Sequence, residues 1–403
     1  MTYSTHHEIY KAFQKCDERW MQRRRKINTS TLFYTLTKCC IQGRGVAHVL
    51  RSEHENYSSQ AIHVARKKLP SGALKEVNRY LQRGPHEPRV FAVDGSKVHV
   101  HPSFLNAGYK TRTNDQPVSR PAKRPLVMLS SMVDVQSKAC VDFKLTKHFN
   151  ERKAAVSLLR GVRKGDTLVF DRGYYSKSLL RSVDDSQAFG VWRLKIDAFR
   201  GTRSFFNSCQ TEAKCFILGV GARLIKYFIN GKAHVCLTND PSLSRRDIKA
   251  IYASRWRVEE SFKRLKSNLR LEKAHARTPD LYIQEVEARV LLDTKTLRLQ
   301  RKACERSYIY TLDTYVTHVL RNVKMVSNPA RPNVVPVLQP VRLNRQCRAR
   351  SGHHRHIPPP HPIFWTNLLR RFIDDAHESV QSYSSTRPAM ETSCTRFTQN
   401  IRR

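Results

Sequence analysis

The sequence predicts an α/β fold with helical regions at both ends. Two short apolar runs, RVFAV and LVF, have the length of buried strands, and an aspartate directly follows each of them, Asp94 and Asp171 respectively. Further along, two longer apolar runs flank the pair Asn230-Gly231, which is the strongest short-range signal for a β-hairpin. Segments with helical apolar spacing lie between these runs. We therefore expect a sheet covered by helices in the middle of the chain.

Residues 1–85 are predicted to be helical and basic. In the segment SSQAIHVARKKL, two serines precede a helix and are suited to cap its N-terminus. The apolar residues of this helix share one side, whereas Gln60, His63 and Lys67 share the other. Such an outer face is suited to contact base edges in the major groove, as in a helix-turn-helix-like unit. An ordinary surface helix would show the same pattern, so both interpretations stay open at this point.

The two aspartates at strand ends are candidate site residues. Aspartate is disfavoured inside strands, and one that stands at a strand end beside a glycine turn often faces a cleft. After Asp94, Gly95 and Ser96 are predicted to turn the chain, although Asp-Gly-Ser also marks ordinary hairpin turns. Asp171 opens the segment DRGYYS, where it either faces the cleft or caps the helix that follows.

The segment IYASRWRVEESFKRLKSNLR, residues 251–270, is predicted to form a single helix. Its apolar residues recur at helical spacing and would face the core. Tyr252, Arg255, Glu259 and Lys266 fall within an arc of about 60° on a neighbouring face, at about 100° per residue. A carboxylate that is flanked by two cations and a tyrosine hydroxyl, beside a buried seam, indicates a site. An exposed helix with surface ion pairs is the alternative, but it does not predict this alignment.

The spacing of Tyr252, Arg255, Glu259 and Lys266 resembles the signature of a group of bacterial transposases named for their Tyr-Arg-Glu-Lys motif. These are insertion-sequence enzymes of the insertion sequence four type, within the wider DDE transposases. All four positions match. LTND before the helix, HARTPD after it, DRGYYS at the second aspartate and Asp-Gly-Ser at the first are also similar to that family. The resemblance covers residues from about 20 to about 300.

This resemblance implies a domain organisation. Residues 86–300 would form an RNase H-like catalytic core, with a mixed sheet flanked by helices, and residues 1–85 a helical DNA-end-binding domain. A β-rich block at about residues 189–241 would be inserted into that core. From the residues themselves, positions 301–403 are predicted to be a basic helical C-terminal region, in which HHRHIPPPHP is interpreted as a solvated linker and not as a metal site.

The resemblance also implies the roles of individual residues. Three carboxylates, which lie far apart in the sequence, would form the catalytic triad and hold two Mg²⁺ or Mn²⁺ ions: Asp94, Asp171 and Glu259. Three signature side chains would hold phosphates at the DNA end: Tyr252, Arg255 and Lys266. Trp192, in the β-rich block, is a candidate for stacking on a flipped base, with a buried core tryptophan as the alternative.

The composition favours a polyanionic partner. Lys and Arg number 73 against 33 acidic residues, which gives a formal charge of +40 over 403 residues. Basic residues occur in every segment, so we expect a nucleic acid to cross several parts of the protein. A ribosomal-type structural protein would share this charge. With the resemblance, the expected partners are double-stranded DNA, as terminal inverted repeats and target, and a second copy of the chain in a homodimeric paired-end complex.

Other features of the sequence predict an intracellular protein. Ten cysteines are scattered without any Cys-x-x-Cys pair, so neither a zinc site nor a disulfide framework is predicted. No apolar stretch of about eighteen residues occurs, and the start MTYSTHHEIYKAF lacks an apolar signal core. The expected location is the cytoplasm, in association with the nucleoid, or the nucleus of a eukaryotic host.

The predicted function is DNA transposition of the cut-and-paste type. Metal-dependent cleavage at the transposon ends would be followed by transfer of the freed 3′-hydroxyl into target DNA. One alternative is a related RNase H-like endonuclease without strand transfer, and another is an inactive or domesticated DNA-binding protein. The intact triad and signature argue against the inactive version. Short inverted repeats bounded by direct duplications around the reading frame would distinguish a transposase from a free nuclease.

Overall fold

The computed structural model describes residues 3–23, 25–52, 55–82, 87–111 and 124–304. Within these ranges, side chains are described from residue 9 to residue 298. The predicted C-terminal region lies outside the described residues, apart from the end of the last helix. No helix in these ranges combines the length and the apolar character that crossing a membrane requires.

In the described ranges, eight strands form one mixed sheet. The strands are β1 (Val90–His99), β2 (Leu126–Asp134), β3 (Cys140–Thr146), β4 (Thr167–Phe170), β5 (Phe189–Arg193), β6 (Glu212–Ile217), β7 (Val220–Ile229) and β8 (Lys232–Thr238). Their order across the sheet is β3-β2-β1-β4-β5-β8-β7-β6. The pairs β1–β4 and β4–β5 are parallel, and the other neighbouring pairs are antiparallel. This topology, with helices on both faces, confirms the α/β, RNase H-like fold that was predicted.

Helices precede, separate and follow the strands. Before β1 lie α1 (Tyr3–Asp17), α2 (Thr29–Gln42), α3 (Val46–Ser52), α4 (Ser59–Lys68) and α5 (Ala73–Leu81). Between β3 and β6 lie α6 (Glu151–Leu158), α7 (Lys177–Asp185) and α8 (Thr202–Asn207). After β8 come α9 (Arg245–Ala253), α10 (Trp256–Lys263) and α11 (Pro279–Cys304). Polar side chains fix several of these boundaries, because they satisfy N–H groups that a helix start leaves unpaired, as Ser58 does for Ala61 at 3.1 Å.

Strand β1 continues past the point where the sequence predicted a turn. Gly95 and Ser96 pair with β2, and β1 runs on to His99. The predicted turn is wrong because the antiparallel ladder to β2 satisfies the backbone groups of these residues. The parallel ladder between β1 and β4 does end at Val93, so Asp94 still follows the last pair of that ladder.

The β-rich block predicted at residues 189–241 begins one strand too early. Its first strand, β5, pairs in parallel with β4 and belongs to the core. The strands inserted after it, β6 to β8, extend the same sheet through the pairing of β8 with β5. The hairpin between β7 and β8 turns at Asn230-Gly231 as predicted, and both residues have positive φ angles. The insertion therefore widens the core sheet.

The two faces of the sheet carry separate hydrophobic cores. One core joins side chains of β1, β2 and β3 with α10, α11 and the N-terminal helices. The other joins the opposite face with α6, α7 and the inserted strands. A buried polar contact also links α4 to α11, since Arg66 donates to Gln284 at 3.2 Å and pairs with Glu285 at 3.5 Å. Helices on both sides of the boundary predicted at residue 85 thus share one core.

Residues 251–270 form two helices and a π-helical turn instead of the single helix predicted. α9 ends and α10 begins on either side of Ser254 and Arg255, and a π-helical turn follows α10 at Arg264–Asn268. At the junction, the N–H of Arg255 bonds to the carbonyl of Tyr252 at 3.1 Å, the spacing of a 3₁₀ turn. Both junction residues keep right-handed helical angles, so the apolar spacing carries no sign of the break.

Trp192 lies in the core. Its side chain is 0% exposed, and its indole stacks on Phe170 with ring centroids 5.2 Å apart and 8° between the planes. The indole also lies over Gly190, where a Cβ atom would come within 2.0 Å of the ring. The structure supports the buried-core alternative for Trp192. The predicted base-stacking role does not fit this placement, because no part of the ring is accessible to a base.

We expect Trp192→Ala to lower the free energy of unfolding of the full-length protein by about 3–5 kcal/mol, because it leaves a cavity beside Phe170. Trp256→Ala is the matched control: Trp256 is 59% exposed, so its loss should change that free energy by at most about 0.5 kcal/mol. Denaturant-induced unfolding measures both. Small and equal effects of the two substitutions would contradict the core placement of Trp192.

Candidate active site

The register between β1 and β4 brings two aspartates together. Val93 of β1 lies opposite Phe170 of β4 in the parallel ladder. Asp94 directly follows Val93, and Asp171 directly follows Phe170. Since adjacent strands lie about 4.8 Å apart, the two aspartates leave the ladder side by side. The fold thus unites the first two members of the predicted triad, which are separated by the whole of β2, β3 and α6.

The third acid, Glu259 of α10, is joined to the first through Arg255. The Arg255 guanidinium donates from Nη1 to Asp94 Oδ2 at 3.1 Å and from Nη2 to Glu259 Oε1 at 2.6 Å. The side chains of Arg255, Asp94 and Glu259 are 17%, 21% and 38% exposed. Solvent therefore screens the bridge only in part, and attraction across it exceeds that of a surface ion pair.

Tyr252 contacts the second aspartate. Its hydroxyl donates to Asp171 Oδ1 at 2.9 Å. Burial raises the pKa of Asp171, but the N–H of Arg172, the Tyr252 hydroxyl and Arg255 together hold that pKa below its usual value. Burial, and next the charge of Asp171, raise the pKa of Tyr252 to about 12. The tyrosine thus keeps its proton at neutral pH and remains a hydrogen-bond donor.

Asp94 shows the opposite shift. Burial raises the pKa of Asp94, and the charges of Asp171 and Glu259 add to this effect, whereas the Gly95 N–H at 2.8 Å and Arg255 oppose it. For Arg255 itself, burial lowers the pKa, but the hydrogen bond to Glu259 and the surrounding negative groups outweigh burial and raise it. The guanidinium therefore stays charged between the carboxylates.

Lys266 is held on strand β1. Its ammonium donates to the carbonyl oxygen of Lys97 at 2.6 Å, and its side chain is half-buried in the π-helical turn. Burial lowers the pKa of Lys266. The ammonium is thus placed three residues beyond Asp94 along the same strand. Of the four signature residues, Tyr252 lies near the end of α9, Arg255 at the junction, Glu259 within α10 and Lys266 in the π-helical turn. The contacts of Tyr252, Arg255 and Lys266 place this segment against the two aspartates and strand β1.

A fourth carboxylate, Glu151 in the first turn of α6, was missed at the sequence level. A Cβ atom at Gly95 would lie 3.0 Å from Glu151 Oε1, and one at Gly173 would lie 3.9 Å from Oε2. The carboxylate therefore sits between the segments that follow Asp94 and Asp171. Burial, and next the charge of Asp94, raise the pKa of Glu151. Its only sequence signal is an acidic residue at a helix start, which is an ordinary preference.

An open cleft of about 540 Å³ adjoins Glu151. The cations Lys110, Lys147 and Arg152 line this cleft together with Phe149. Arg152 also donates to the carbonyl of Gly173 at 2.9 Å, next to the second aspartate's loop. Cations and an aromatic ring along an open groove are typical of surfaces that contact a nucleic-acid backbone.

The helix face predicted to contact the major groove is open to solvent. Gln60 and Lys67 are exposed on α4, and His63 is partly exposed on the same side. Ile62 and Ala65 are buried on the other side. The amphipathic arrangement predicted for α4 is present except at Val64, which was predicted on the apolar side and is exposed. Contact of α4 with DNA stays a prediction.

Within the described part of the chain, no three His, Cys, Asp or Glu side chains converge closely enough to hold a metal ion. The contacts above explain this, because Arg255 stands between Asp94 and Glu259, and Tyr252 engages one oxygen of Asp171. The donor set nevertheless fits a divalent ion, since Mg²⁺ and Mn²⁺ prefer carboxylate oxygens. The three acids can share such ions once the guanidinium leaves them.

A mixed RNase H-like sheet in which two acids follow the last pair of a parallel ladder, with a third acid on a helix, is typical of nucleases and transposases. A family model described as a transposase DDE domain matches residues 85–292, more than half of the chain. The chain therefore belongs to the DDE transposase family, and its function is that of a DNA transposase. Transposases of this family generally use divalent metal ions.

Among solved structures, the chain is similar to the piggyBac transposase, which was determined by cryo-EM in a synaptic complex with hairpin DNA. The TM-score is 0.47 at 11% sequence identity, over 83% of this chain and 84% of that one. No curated protein matches the sequence significantly.

Arg255→Ala should destabilise the metal-free protein by about 2 kcal/mol, because it leaves Asp94 and Glu259 close together without the cation that bridges them. Thermal or urea unfolding in EDTA measures this. Arg257→Ala is the matched control, since Arg257 makes a local pair with Glu260 at 2.9 Å on the same helix. If the two variants were equally stable in EDTA, the bridging role of Arg255 would be excluded.

Proposed function

We propose that this chain is a cut-and-paste DNA transposase of the insertion-sequence type that carries the Tyr-Arg-Glu-Lys signature. It would cleave DNA at both ends of a transposon and join the freed 3′-hydroxyls to target DNA. The observation that carries this proposal is that two signature side chains, Tyr252 and Arg255, contact all three acids of the triad. Surface ion pairs along a helix would not bring these side chains to aspartates that follow two different strands.

In this proposal Asp94, Asp171 and Glu259 hold two Mg²⁺ or Mn²⁺ ions, which would act as Lewis acids on the attacking and leaving oxygens of a phosphodiester. Mutual repulsion of the three carboxylates favours cations at this position. In the structure, Arg255 is the cation between two of them. Its planar donors match a phosphate as well as a carboxylate, so a DNA end can take the guanidinium over from the acids.

Tyr252 and Lys266 complete the contacts to the DNA end. The Tyr252 hydroxyl stays protonated, so it can donate to a phosphate oxygen when it is not bonded to Asp171. Lys266 carries its charge beyond the carboxylates along β1, where the next phosphate of the strand would pass. The three signature side chains thus orient the scissile phosphate, and orientation alone can supply a large part of a rate enhancement.

The partners in this proposal are double-stranded DNA and a second copy of the chain. Terminal inverted repeats would bind the exposed face of α4, and the cationic cleft beside Glu151 would take the DNA backbone near the site. The formal charge of +40 supports contact with both transposon ends and target DNA. Two transposon ends held together require two active sites, which a homodimeric paired-end complex provides.

Asp94→Asn, Asp171→Asn and Glu259→Gln should each abolish Mg²⁺-dependent cleavage of transposon ends, and a precut end should no longer be joined to a target plasmid. Gel shifts should show end binding nearly unchanged, because none of these acids contacts DNA directly. Glu260→Gln, one residue along α10, is the control and should keep full activity. Any triad variant that cleaves at the wild-type rate would have to be removed from the proposed site.

Combined substitution of Gln60, His63 and Lys67 by Ala should reduce the preference of the full-length protein for transposon ends over random duplex by about tenfold or more, since each lost base contact costs about 1–3 kcal/mol. The full chain is used because α4 shares its core with α11. Lys68→Ala, exposed on the same helix, should weaken binding to both duplexes equally. Unchanged preference across a salt titration would refute base contact by α4.

Lys266→Ala should slow single-turnover cleavage on the order of a hundredfold without changing the Mg²⁺ midpoint, because it mis-seats a phosphate and leaves the acids intact. Lys266→Arg should recover part of the rate, since the charge stays while the head group changes. Lys263→Ala, exposed in the last turn of α10, is the control. A shifted Mg²⁺ midpoint with normal assembly of the paired-end complex would assign Lys266 to the electrostatics of the metal site.

A further inference from the structure

Glu151 lies where the segments after the two catalytic aspartates come together. Its Oε1 is so close to Gly95 that a Cβ atom there would stand at 3.0 Å, and its Oε2 faces Gly173. Both neighbouring positions are glycines, so the carboxylate fits into a space that side chains would otherwise fill. α6 contributes no other acid to this region, and Glu151 comes from an element separate from those that carry the triad.

The Glu151 carboxylate has no structural partner that explains its position. In the described ranges, it makes no hydrogen bond or ion pair, whereas each acid of the triad has one. It is also not needed to cap α6, because the Asn150 side chain accepts from the Lys153 N–H at 3.0 Å. A half-buried carboxylate beside Asp94 and Asp171 is repelled by both, and the charge of Lys97 opposes this repulsion without forming an ion pair with Glu151 in the described ranges.

A second buried group lacks a partner at the same place. Tyr174 follows Gly173 directly and is 1% exposed, and its hydroxyl has no hydrogen-bond partner among the described residues. The charges of Asp94, Glu151 and Asp171 all act on this hydroxyl. A buried hydroxyl is normally hydrogen-bonded, either to the protein or to an ordered molecule beside it. An unpaired donor and an unpaired acceptor near the triad indicate a ligand that both can contact.

We propose that Glu151 is a fourth carboxylate of the divalent-metal site, and that the Tyr174 hydroxyl holds a water molecule or a carboxylate oxygen of that site in place. The proposal rests on the proposed metal-dependent function and adds a ligand to it. Among the described residues, Arg255 pairs with Asp94 and Glu259 and makes no ion pair with Glu151, so Glu151 stays available to a cation. No three of the described carboxylates converge closely enough to hold an ion beforehand, so Glu151 would join Asp94 and Asp171 around the ion as the Arg255 guanidinium leaves the acids.

The test is a titration of the full-length protein with Mn²⁺ in the absence of DNA. Electron paramagnetic resonance measures binding as the loss of the free-Mn²⁺ signal. Glu151→Gln should weaken binding by about ten- to a hundredfold, as the loss of groups around metal sites commonly does. Asp171→Asn should also weaken it. Glu212→Gln is the matched control, because Glu212 pairs with Arg223 at the sheet edge and should leave binding unchanged. Tyr174→Phe should have a smaller effect than Glu151→Gln.

Thermal unfolding provides a second readout. Glu151→Gln should unfold in EDTA at the same temperature as the wild type or higher, because it removes a repelled charge, and it should lose most of the stabilisation that Mn²⁺ gives. If Glu151→Gln does not fold, Glu151→Asp replaces it, since the retracted carboxylate should still weaken Mn²⁺ binding.

The outcomes separate this inference from the proposed function. Weaker Mn²⁺ binding by both Asp171→Asn and the Glu151 variant supports both. Weaker binding by Asp171→Asn, with the Glu151 variant equal to Glu212→Gln, overturns the role of Glu151 and leaves the proposed function standing. Wild-type binding by Asp171→Asn, or no binding by the wild type at millimolar Mn²⁺, overturns the metal site itself and the inference with it.

Discussion

The register between β1 and β4 is the constraint on which the site depends. Because Val93 lies opposite Phe170, Asp94 and Asp171 both directly follow the last pair of the parallel ladder. A shift by one residue would send one aspartate to the opposite face of the sheet, since side chains alternate along a strand. The buried apolar residues of both strands oppose such a shift, because it would exchange the side chains that pack in the two cores. Core packing thus fixes the distance between two like charges.

At that distance the carboxylates repel each other, and in the metal-free protein Arg255 and Tyr252 reduce this repulsion. Asp94, Asp171 and Glu259 repel one another, and burial makes the repulsion stronger. The Arg255 guanidinium donates hydrogen bonds to both Asp94 and Glu259, and the neutral Tyr252 hydroxyl donates one to Asp171. The 3₁₀ junction between α9 and α10 matters here, because it sets the angle from which both side chains approach the strands. The negative charge of the site is therefore only partly compensated without metal, by one guanidinium and one neutral hydrogen-bond donor.

The sequence predicted the structure correctly where a residue type has one dominant reason to occupy a position. Aspartates after short apolar runs predicted two site residues, and Asn230-Gly231 predicted a hairpin with positive φ angles. The sequence was silent where pairing partners decide the outcome. Gly95 stays in its strand because β2 lies beside it, and Trp192 is buried because Gly190 leaves room for its ring. Glu151 could not be found at all, since only the fold brings the start of α6 to the aspartates.

Direct contacts join the N-terminal helix α2 to the end of the segment 251–270, which carries the four signature residues. The carbonyl of Leu269, just after the π-helical turn that carries Lys266, accepts from Cys40 Sγ of α2 at 2.9 Å and from Arg289 Nε of α11 at 3.0 Å. Gly43, at the end of α2, leaves room for the Arg270 guanidinium, which a Cβ atom would approach to 2.8 Å. Because packed interiors transmit displacement with little compliance, a movement of α2 on binding a DNA end must also move this segment. In the proposed complex, recognition of a DNA end by the N-terminal helices would therefore be coupled to the position of Lys266 through Leu269.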